Sequence, residues 1–182
     1  MTHDRQIVIS VGNSRKDTVW VQTTLNVSDL YNRLSTTVRG TETLETYMKL
    51  PKSKQDDLKD IGGFVGGSLR GQRRKAENVI GRDLISLDFD NIPGWQTEDI
   101  VAKADKLGCG FCIYSTRKHS PAAPRLRLIV PFDRTVTPDE YEPCARRVAE
   151  FIGINMADPT TFQSHRLMYW PSCCADSETV YK

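Results

Sequence analysis

The sequence predicts an α+β protein whose second half folds as a four-stranded sheet backed by two helices. Segments typical of strands and helices alternate between residues 84 and 170, in the order strand, helix, strand, strand, helix, strand. The first helix is expected to begin at Thr97 and to end at Gly108. The second is expected to begin at the capping box Thr137-Pro138-Asp139-Glu140 and to end at Gly153. This order is that of ferredoxin-like and RNA-recognition-motif-like sheets, which use a split β-α-β unit twice.

The first half is predicted to be a smaller α/β lobe that covers the open face of this sheet. Alternating apolar and polar residues predict strands over Arg5–Val11 and Thr18–Thr23, joined as a hairpin. Ser28 and Thr43 are good N-caps for two short helices. A chain of 182 residues suits one unit made of two intimate lobes.

Composition excludes several classes of protein. Hydrophobic residues make up 38% of the chain and charged residues 26%, so a globular core is expected and extensive disorder is not. No apolar run approaches the roughly 18 residues of a membrane span, and the N-terminus lacks a secretory signal, so a cytoplasmic location is predicted. The five cysteines are an odd number, which predicts reduced thiols. A zinc site made from Cys109, Cys112, Cys173 and Cys174 is less favoured than buried thiols, because adjacent cysteines are awkward ligands.

A glycine-rich stretch followed by basic residues lies between the two halves. Two Gly-Gly pairs, Gly62-Gly63 and Gly66-Gly67, predict either a strand and turn or a backbone that runs close to a nucleotide or template. The basic residues that follow are Arg70, Arg73, Arg74 and Lys75. Because the net charge is only +2, this local concentration is more informative than the total, and it favours a polyanionic partner.

The strand Leu84–Asp90 ends in two acids. Side chains alternate along a strand, so Asp88 and Asp90 point to one face and Phe89 to the other. Two adjacent carboxylates on a sheet favour a divalent cation between them. For the motif in isolation, a strand that ends in a solvated polar turn is the better interpretation.

The predicted topology brings further polar residues to these acids. The first and third strands are expected to lie side by side and antiparallel, with the second parallel to the first and the fourth antiparallel to it. One corner of the sheet then collects Asp88, Asp90, Ser115, Arg125, Arg127, Asp158 and Arg166. The helices must cover the face that carries Leu87 and Phe89, so the charged side chains share the other face.

This corner is suited to phosphoryl-transfer chemistry. Asp88, Asp90 and Asp158 could hold one or two Mg²⁺ or Mn²⁺ ions, which prefer oxygen ligands and are often shared with substrate phosphates. Arg125, Arg127 and Arg166 could hold a triphosphate, since arginine forks match phosphate oxygens. Lys118 and His119, in the loop before the third strand, could add a donor. Asp158 alone could equally be an N-cap or a turn residue.

Four spaced motifs resemble the archaeo-eukaryotic primase superfamily. They are Leu87-Asp88-Phe89-Asp90, Tyr114 to Pro121, Pro124 to Pro131, and Asp158 ahead of Ser164 to Pro171. Within that superfamily the motifs resemble in particular the primase-polymerase domains of phage and mobile-element replication proteins, which are often joined to a virulence-associated-protein-E-like helicase. The resemblance covers about residues 55–172 and extends more loosely to the N-terminal half.

The resemblance implies a two-lobed primase fold and a role for each motif. Its acid pair corresponds to Asp88 and Asp90, and its third metal ligand to Asp158. Its nucleotide-contacting s-x-H motif falls in the region of Ser115, where the spacing points to Arg117 and the nearest histidine is His119, so that either residue fills this role.

The prediction is therefore a single catalytic unit over residues 1–182. Residues 1–80 form the N-terminal lobe, 81–172 the catalytic lobe, and 173–182 a tail or linker to a C-terminal helicase region. The predicted activity is DNA primase or primase-polymerase, with Mg²⁺ or Mn²⁺ as cofactor. The predicted partners are a single-stranded DNA template, nucleoside triphosphates and a fused or associated helicase. The basic residues from Arg70 to Lys75 would contact template or primer. Two alternatives stay open, a replication-initiator or nucleic-acid-binding module without synthesis, and a metal-dependent nuclease.

Overall fold

The computed structural model describes residues 4–182. Its first elements are β1 (Gln6–Gly12), β2 (Val21–Asn26), α1 (Val27–Ser35), β3 (Val38–Arg39), α2 (Leu44–Lys49), α3 (Lys52–Leu58), β4 (Gly63–Val65) and β5 (Gly67–Leu69). The chain continues with β6 (Val79–Phe89), α4 (Thr97–Asp105), β7 (Cys112–Ser115), β8 (Leu126–Val136), α5 (Pro138–Ile152), β9 (Met168–Tyr169) and β10 (Ser172–Cys173). None of the helices in this part of the chain is long and apolar enough to cross a bilayer.

Eight of these strands form two antiparallel four-stranded sheets, which confirms the α+β class. The N-terminal sheet has the order β2-β1-β4-β9, and β1 and β2 form the predicted hairpin. The catalytic-lobe sheet has the order β5-β6-β8-β7. Its two central strands, β6 and β8, are antiparallel, and β7 pairs antiparallel with β8. β7 is therefore parallel to β6, as predicted.

The helices cover one face of the catalytic-lobe sheet. Leu87 and Phe89 from β6 are fully buried there, against Ala104 of α4 and Ala149 of α5. The capping box of α5 is present, because Thr137 Oγ1 accepts a hydrogen bond from the backbone of Glu140 at 3.3 Å. The apolar set predicted to face inward is thus the set that builds this core, which turns Asp88 toward the opposite face.

The N-terminal lobe covers that opposite face. Ile7, Ile9 and Leu30 from the first half pack in one cluster with Leu84 of β6 and Ile129 of β8. The alternation that puts Leu84 on this side also puts Asp88 on it. The acids therefore lie between two lobes, and the N-terminal lobe shields Asp88 from water.

The predicted position of the fourth strand is wrong. Residues 166–170 were expected to pair with β6, but β9 pairs with β4 in the N-terminal sheet. The place beside β6 is taken by β5, which pairs antiparallel with it. The chain passes from one sheet to the other at Gly66, where a Cβ atom would lie 2.8 Å from the Leu84 Cβ. The glycine pairs therefore let the backbone run close to a neighbouring strand, and residues 62–67 line neither of the polar cavities described below.

Strand β8 contains Pro131 and continues to Val136. β7 pairs with β8 only as far as Ile129, so the strand has a single neighbour beyond that point. A proline is tolerated there because one side of the strand needs no ladder donor.

The C-terminal residues are part of the folded unit. β10 pairs with β3, and the amide of Lys182 donates to the carbonyl oxygen of Ile113 at 2.9 Å. Cys174 is fully buried. Residues 173–182 thus do not extend away from the fold as a tail, and their role as a linker to a helicase region stays a prediction.

Candidate active site

A polar cavity of about 230 Å³ lies between the two lobes at the end of β6. We call it the acid–arginine cavity after six of its lining residues, Asp88, Asp90, Asp158, Arg125, Arg127 and Arg166. Altogether seven Lys and Arg side chains line it, against three Asp side chains. This excess of cations makes the cavity attractive to polyanions.

Asp88 and Arg127 form a buried ion pair at the base of this cavity. They are direct partners in the β6–β8 register, and Arg127 Nη2 lies 3.2 Å from Asp88 Oδ2. Arg127 also donates to the Tyr169 carbonyl oxygen at 3.1 Å and lies between the rings of Tyr114 and Tyr169. Arg127 is thereby held in place, and it is less available to a triphosphate than the sequence predicted.

The pKa values of this pair follow from burial and attraction. Burial raises the pKa of Asp88, although Arg127 favours its ionised form. Burial opposes the charge of Arg127, but Asp88 and Tyr114 together outweigh this effect and raise the pKa of Arg127. A further positive charge near Asp88 would offset the burial and favour its carboxylate.

The other two acids are also paired with arginines, at more exposed positions. Arg125 Nη1 lies 2.8 Å from Asp90 Oδ1, and Arg166 Nη2 lies 2.8 Å from Asp158 Oδ2. Both arginine side chains are 32% exposed. Because water can reach them, Arg125 and Arg166 can change partner more easily than Arg127.

Asp158 comes to the cavity through backbone pairing with the end of β6. Its amide donates to the Asp88 carbonyl oxygen at 2.8 Å, next to a β-bridge between Phe89 and Ala157. Its Oδ1 caps the following turn by accepting from the Thr160 amide at 2.8 Å. Asp158 is therefore both the N-cap of this turn and a lining residue of the acid–arginine cavity.

The carboxylate oxygens of Asp88 and Asp90 fit a hard divalent cation. Asp158 does not complete a cluster of three acids with them. Asp88 Oδ1 is buried and, within residues 4–182, has no hydrogen-bond partner. Such an orphaned carboxylate oxygen is suited to Mg²⁺ or Mn²⁺. The same part of the chain contains no group of three or more His, Cys, Asp or Glu residues placed to hold a metal ion. The predicted three-acid group is therefore not assembled, and the Asp158 carboxylate instead contacts Thr160 and Arg166.

The N-terminal lobe adds lysines that sequence reasoning missed. Lys52 and Lys59, at the two ends of α3, line the cavity together with Lys118. Burial and the neighbouring cations Lys52 and Arg125 lower the pKa of Lys118. The signal was present in the sequence, because residues seven apart on a helix lie on one face. What it lacked was any sign that this face meets the acid pair.

The residues of the second motif are divided between the cavity and the interior. Arg117 lines the cavity and forms an ion pair with Glu42. His119 is 2% exposed, and its Nδ1 accepts a hydrogen bond from the Arg125 amide at 3.1 Å. Ser115 is also buried, and its Oγ accepts from the Val180 amide at 3.0 Å. Of the three, Arg117 is thus the residue that faces the site.

The predicted nucleic-acid-binding residues occupy the turn between β5 and β6. Arg70, Arg73 and Lys75 are exposed and line neither polar cavity. Arg74 is partly buried, with its guanidinium 5.1 Å from the Trp20 ring centroid. It lines a second polar cavity next to the first, so the structure separates Arg74 from its neighbours.

Comparison with known proteins identifies the family. The model of the VapE N-terminal domain matches residues 1–182, so the chain belongs to the VapE N-terminal domain family. This confirms the resemblance to virulence-associated-protein-E-like proteins. Among solved structures, the chain is similar to the AEP domain of a primase-polymerase from cyanophage S-2L, with a TM-score of 0.46 and 13% identity. That alignment covers 97% of this chain and 80% of the other. No curated protein matches the chain.

Proposed function

We propose that this domain has a primase-like role, and that it is a metal-dependent nucleotidyltransferase of the DNA primase or primase-polymerase type. One observation carries the proposal: three acids and four arginines from five separate segments line one cavity. Solvated surface residues do not explain this set, because Asp88 and Arg127 at its base are buried. The motif resemblance to archaeo-eukaryotic primases supports the same reaction class.

In this proposal the arginines of the cavity have different roles. Arg125 and Arg166 bind phosphate oxygens of the incoming triphosphate, because both are accessible and each has an exchangeable carboxylate partner. Arg127 holds the Asp88 carboxylate in position through their buried ion pair. Arg117, rather than His119, fills the role of the second motif. Lys52, Lys59 and Lys118 also line the cavity, and their positive charge favours the anionic substrate.

Asp88 and Asp90 would hold the divalent ion, with the remaining oxygen ligands from water and substrate phosphates. When bound, such an ion supplies charge stabilisation at the transferred phosphoryl group. We keep Asp158 in the proposal as a positioning residue for Arg166, through their 2.8 Å ion pair. In the reaction the 3′-hydroxyl gives up its proton to solvent and its oxygen bonds to the α-phosphorus, while the bond from that phosphorus to the pyrophosphate oxygen breaks and pyrophosphate leaves.

The proposed partners are a single-stranded DNA template, nucleoside triphosphates and a helicase fused to or associated with this domain. The predicted division of the chain at residues 80 and 172 does not separate the two lobes completely. Each lobe takes a strand from the other half of the chain, since β5 joins the catalytic-lobe sheet and β9 the N-terminal sheet.

The direct test is synthesis on a single-stranded template with labelled nucleotides and Mn²⁺. The wild-type domain should yield a labelled product, and Asp88→Asn and Asp90→Asn should each lower its rate by at least about a hundredfold. Asp133→Asn is the matched control, because Asp133 is an exposed carboxylate on β8 that does not line the cavity. Wild-type protein without product, under conditions where it binds triphosphate, would contradict the proposal.

A second candidate is a nucleic-acid-binding module that does not synthesise. The observation that favours it is the pairing of every cavity acid with an arginine, together with the absence of a three-ligand metal group in residues 4–182. This module would bind single-stranded DNA equally well with Asp88→Asn and in the presence of a chelator. Hydrolysis of the strand without triphosphate would instead indicate a nuclease.

A further inference from the structure

A second cavity continues from the acid–arginine cavity and contains cations but no acid. It has a volume of about 330 Å³ and is lined by Arg15, Lys16, Lys59, Arg74 and Arg166, with Leu167 and Tyr169. We call it the basic groove. The acid–arginine cavity holds three carboxylates, whereas none lines this one. It therefore suits an anion without requiring a metal ion to offset repulsion.

Three arginines of the basic groove have a hydrogen-bond donor for which residues 4–182 offer no acceptor. Arg15 Nη1, Arg74 Nε and Arg166 Nε are buried and find no acceptor within the described residues 4–182. A buried donor without a partner is costly, and charged donors are the most costly. That three such donors line one groove points to an external acceptor with several oxygens, and a phosphate group is the common match for guanidinium groups.

Two of these side chains are held in place by their other nitrogen atoms. Arg15 Nη2 lies 3.0 Å from Asp57 Oδ1, and Arg74 Nη1 donates to the His165 carbonyl oxygen at 3.2 Å. Arg166 pairs with Asp158, a partner that it can exchange. Because one nitrogen of Arg15 and one of Arg74 are anchored, these two side chains lose little further freedom when a ligand takes the free nitrogen.

The basic groove shares part of its wall with the acid–arginine cavity. Lys59, Arg166, Leu167 and Tyr169 line both. An isolated phosphate would fill one of the two, but a chain of phosphodiesters can occupy them together. A single nucleic-acid strand has this form, and such strands are commonly held by a basic groove that follows the backbone.

We propose that Arg15, Lys16 and Arg74 form a metal-independent phosphate site that holds the backbone of a single DNA strand beside the acid–arginine cavity. The inference rests on the proposed function for the identity of the strand, but it makes a separate prediction about binding. It also replaces the broader expectation that the whole turn from Arg70 to Lys75 contacts nucleic acid. Arg74 does so, with two residues that sequence reasoning did not single out.

The test measures binding of a fluorescein-labelled oligothymidylate to the whole domain in EDTA, as a function of salt. Arg74→Gln and Lys16→Gln should each weaken binding about fivefold and should each reduce the slope of log K against log salt by about 0.7. Arg73→Gln is the matched control, because it removes the same charge from an exposed position in the same turn. Its affinity should stay within about twofold of wild type.

Two further measurements make the outcome decisive. Lys16 is 68% exposed, so its replacement tests the groove even if Arg74→Gln, which loses the Trp20 contact, unfolds the domain. Binding of a nucleoside triphosphate in EDTA should be unchanged by Lys16→Gln. If triphosphate binding falls and oligonucleotide binding does not, the groove holds a free nucleotide and the proposal is wrong. If Arg73→Gln costs as much as Arg74→Gln, only the overall charge matters, and the proposal is also wrong.

This design separates the inference from the proposed function. If the wild-type domain synthesises nothing but Lys16→Gln lowers its oligonucleotide affinity, the strand site stands and the polymerase function is rejected. If Lys16→Gln and Arg74→Gln instead leave both synthesis and oligonucleotide affinity unchanged, the proposed function stands and the strand site is rejected.

Discussion

At the residue scale, His119 shows how the position of a side chain can remove a residue from a site that its sequence position suggests. Its Nδ1 accepts the Arg125 amide hydrogen at 3.1 Å, and its side chain points into the protein. This bond fixes the start of β8, two residues before Arg127. His119 thus acts on the cavity through the backbone that carries the arginines, and it must be neutral to accept this hydrogen.

We expect His119 to make the stability of the domain sensitive to acid. Burial lowers the pKa of His119, partly opposed by Glu178, so the unfolded chain binds this proton at a higher pH than the folded chain. The contribution to stability is complete above about pH 6.5 and is lost as the pH falls toward the folded-state value. His119→Asn offers an oxygen near the place of Nδ1 and does not titrate. It should lose less stability than wild type between about pH 7.5 and pH 5 in chemical denaturation.

His165 limits the size of this effect. Burial also lowers the pKa of His165, with Arg74 acting in the same direction, so part of the acid sensitivity should remain in His119→Asn. The stability of the double variant His119→Asn/His165→Asn should depend still less on pH. An identical loss of stability in wild type and His119→Asn would show that the histidine does not carry the hydrogen bond in its neutral form.

At the element scale, the place of β5 beside β6 decides where the fourth predicted strand goes. Gly67 pairs with Arg82, and a Cβ atom on Gly67 would lie 2.0 Å from the Gly81 carbonyl oxygen. Only glycine permits this approach without moving the backbone. β5 in turn leads into the turn that carries Arg74, so the close pairing also positions one wall of the basic groove.

Gly67→Ala should therefore destabilise the domain by roughly 1–3 kcal/mol, because the strands must separate to admit a methyl group. Gly110→Ala is the matched control, since a Cβ there meets nothing within 4 Å. Its stability should change by less than about 0.5 kcal/mol. The free energy of unfolding in urea measures both, and equal values for the two variants would mean that the β5–β6 contact is looser than the structure shows.

These elements also show which parts of the fold could be predicted. The period-two pattern around Leu87 and Phe89 and the capping box at Thr137 are local signals, and both appear in the structure as expected. The location of β9 depends on competition between two strands for one edge, and nothing within residues 166–170 records that competition. The same holds for Lys52 and Lys59, which reach the site because the N-terminal lobe docks on the sheet.

At the scale of the whole molecule, the two lobes enclose a site in which opposite charges already neutralise each other. Asp90 and Asp158 hold Arg125 and Arg166, so a metal ion that approaches these acids competes with an arginine. A triphosphate that approaches the arginines competes with an acid in the same way. Each ligand releases the group that the other needs, so the two should bind cooperatively.

We expect Mn²⁺ to bind about tenfold more tightly when a non-hydrolysable nucleoside triphosphate is present, and the triphosphate to bind more tightly by the same factor with Mn²⁺. Calorimetric titration of each ligand, alone and with the other, measures both factors. Because the metal also binds the triphosphate in solution, the comparison must be made at saturating triphosphate and corrected for that equilibrium.

Arg125→Gln separates this exchange from simple attraction between metal and triphosphate. It frees Asp90, so Mn²⁺ alone should bind more tightly than to wild type, while triphosphate alone should bind more weakly. The cooperative factor should shrink accordingly. Arg134→Gln removes an arginine of β8 that pairs with Glu140 outside the cavity, and it should change neither affinity. If Arg125→Gln weakens Mn²⁺ binding instead, the arginine does not compete with the metal, and the neutralised state is not what couples the two ligands.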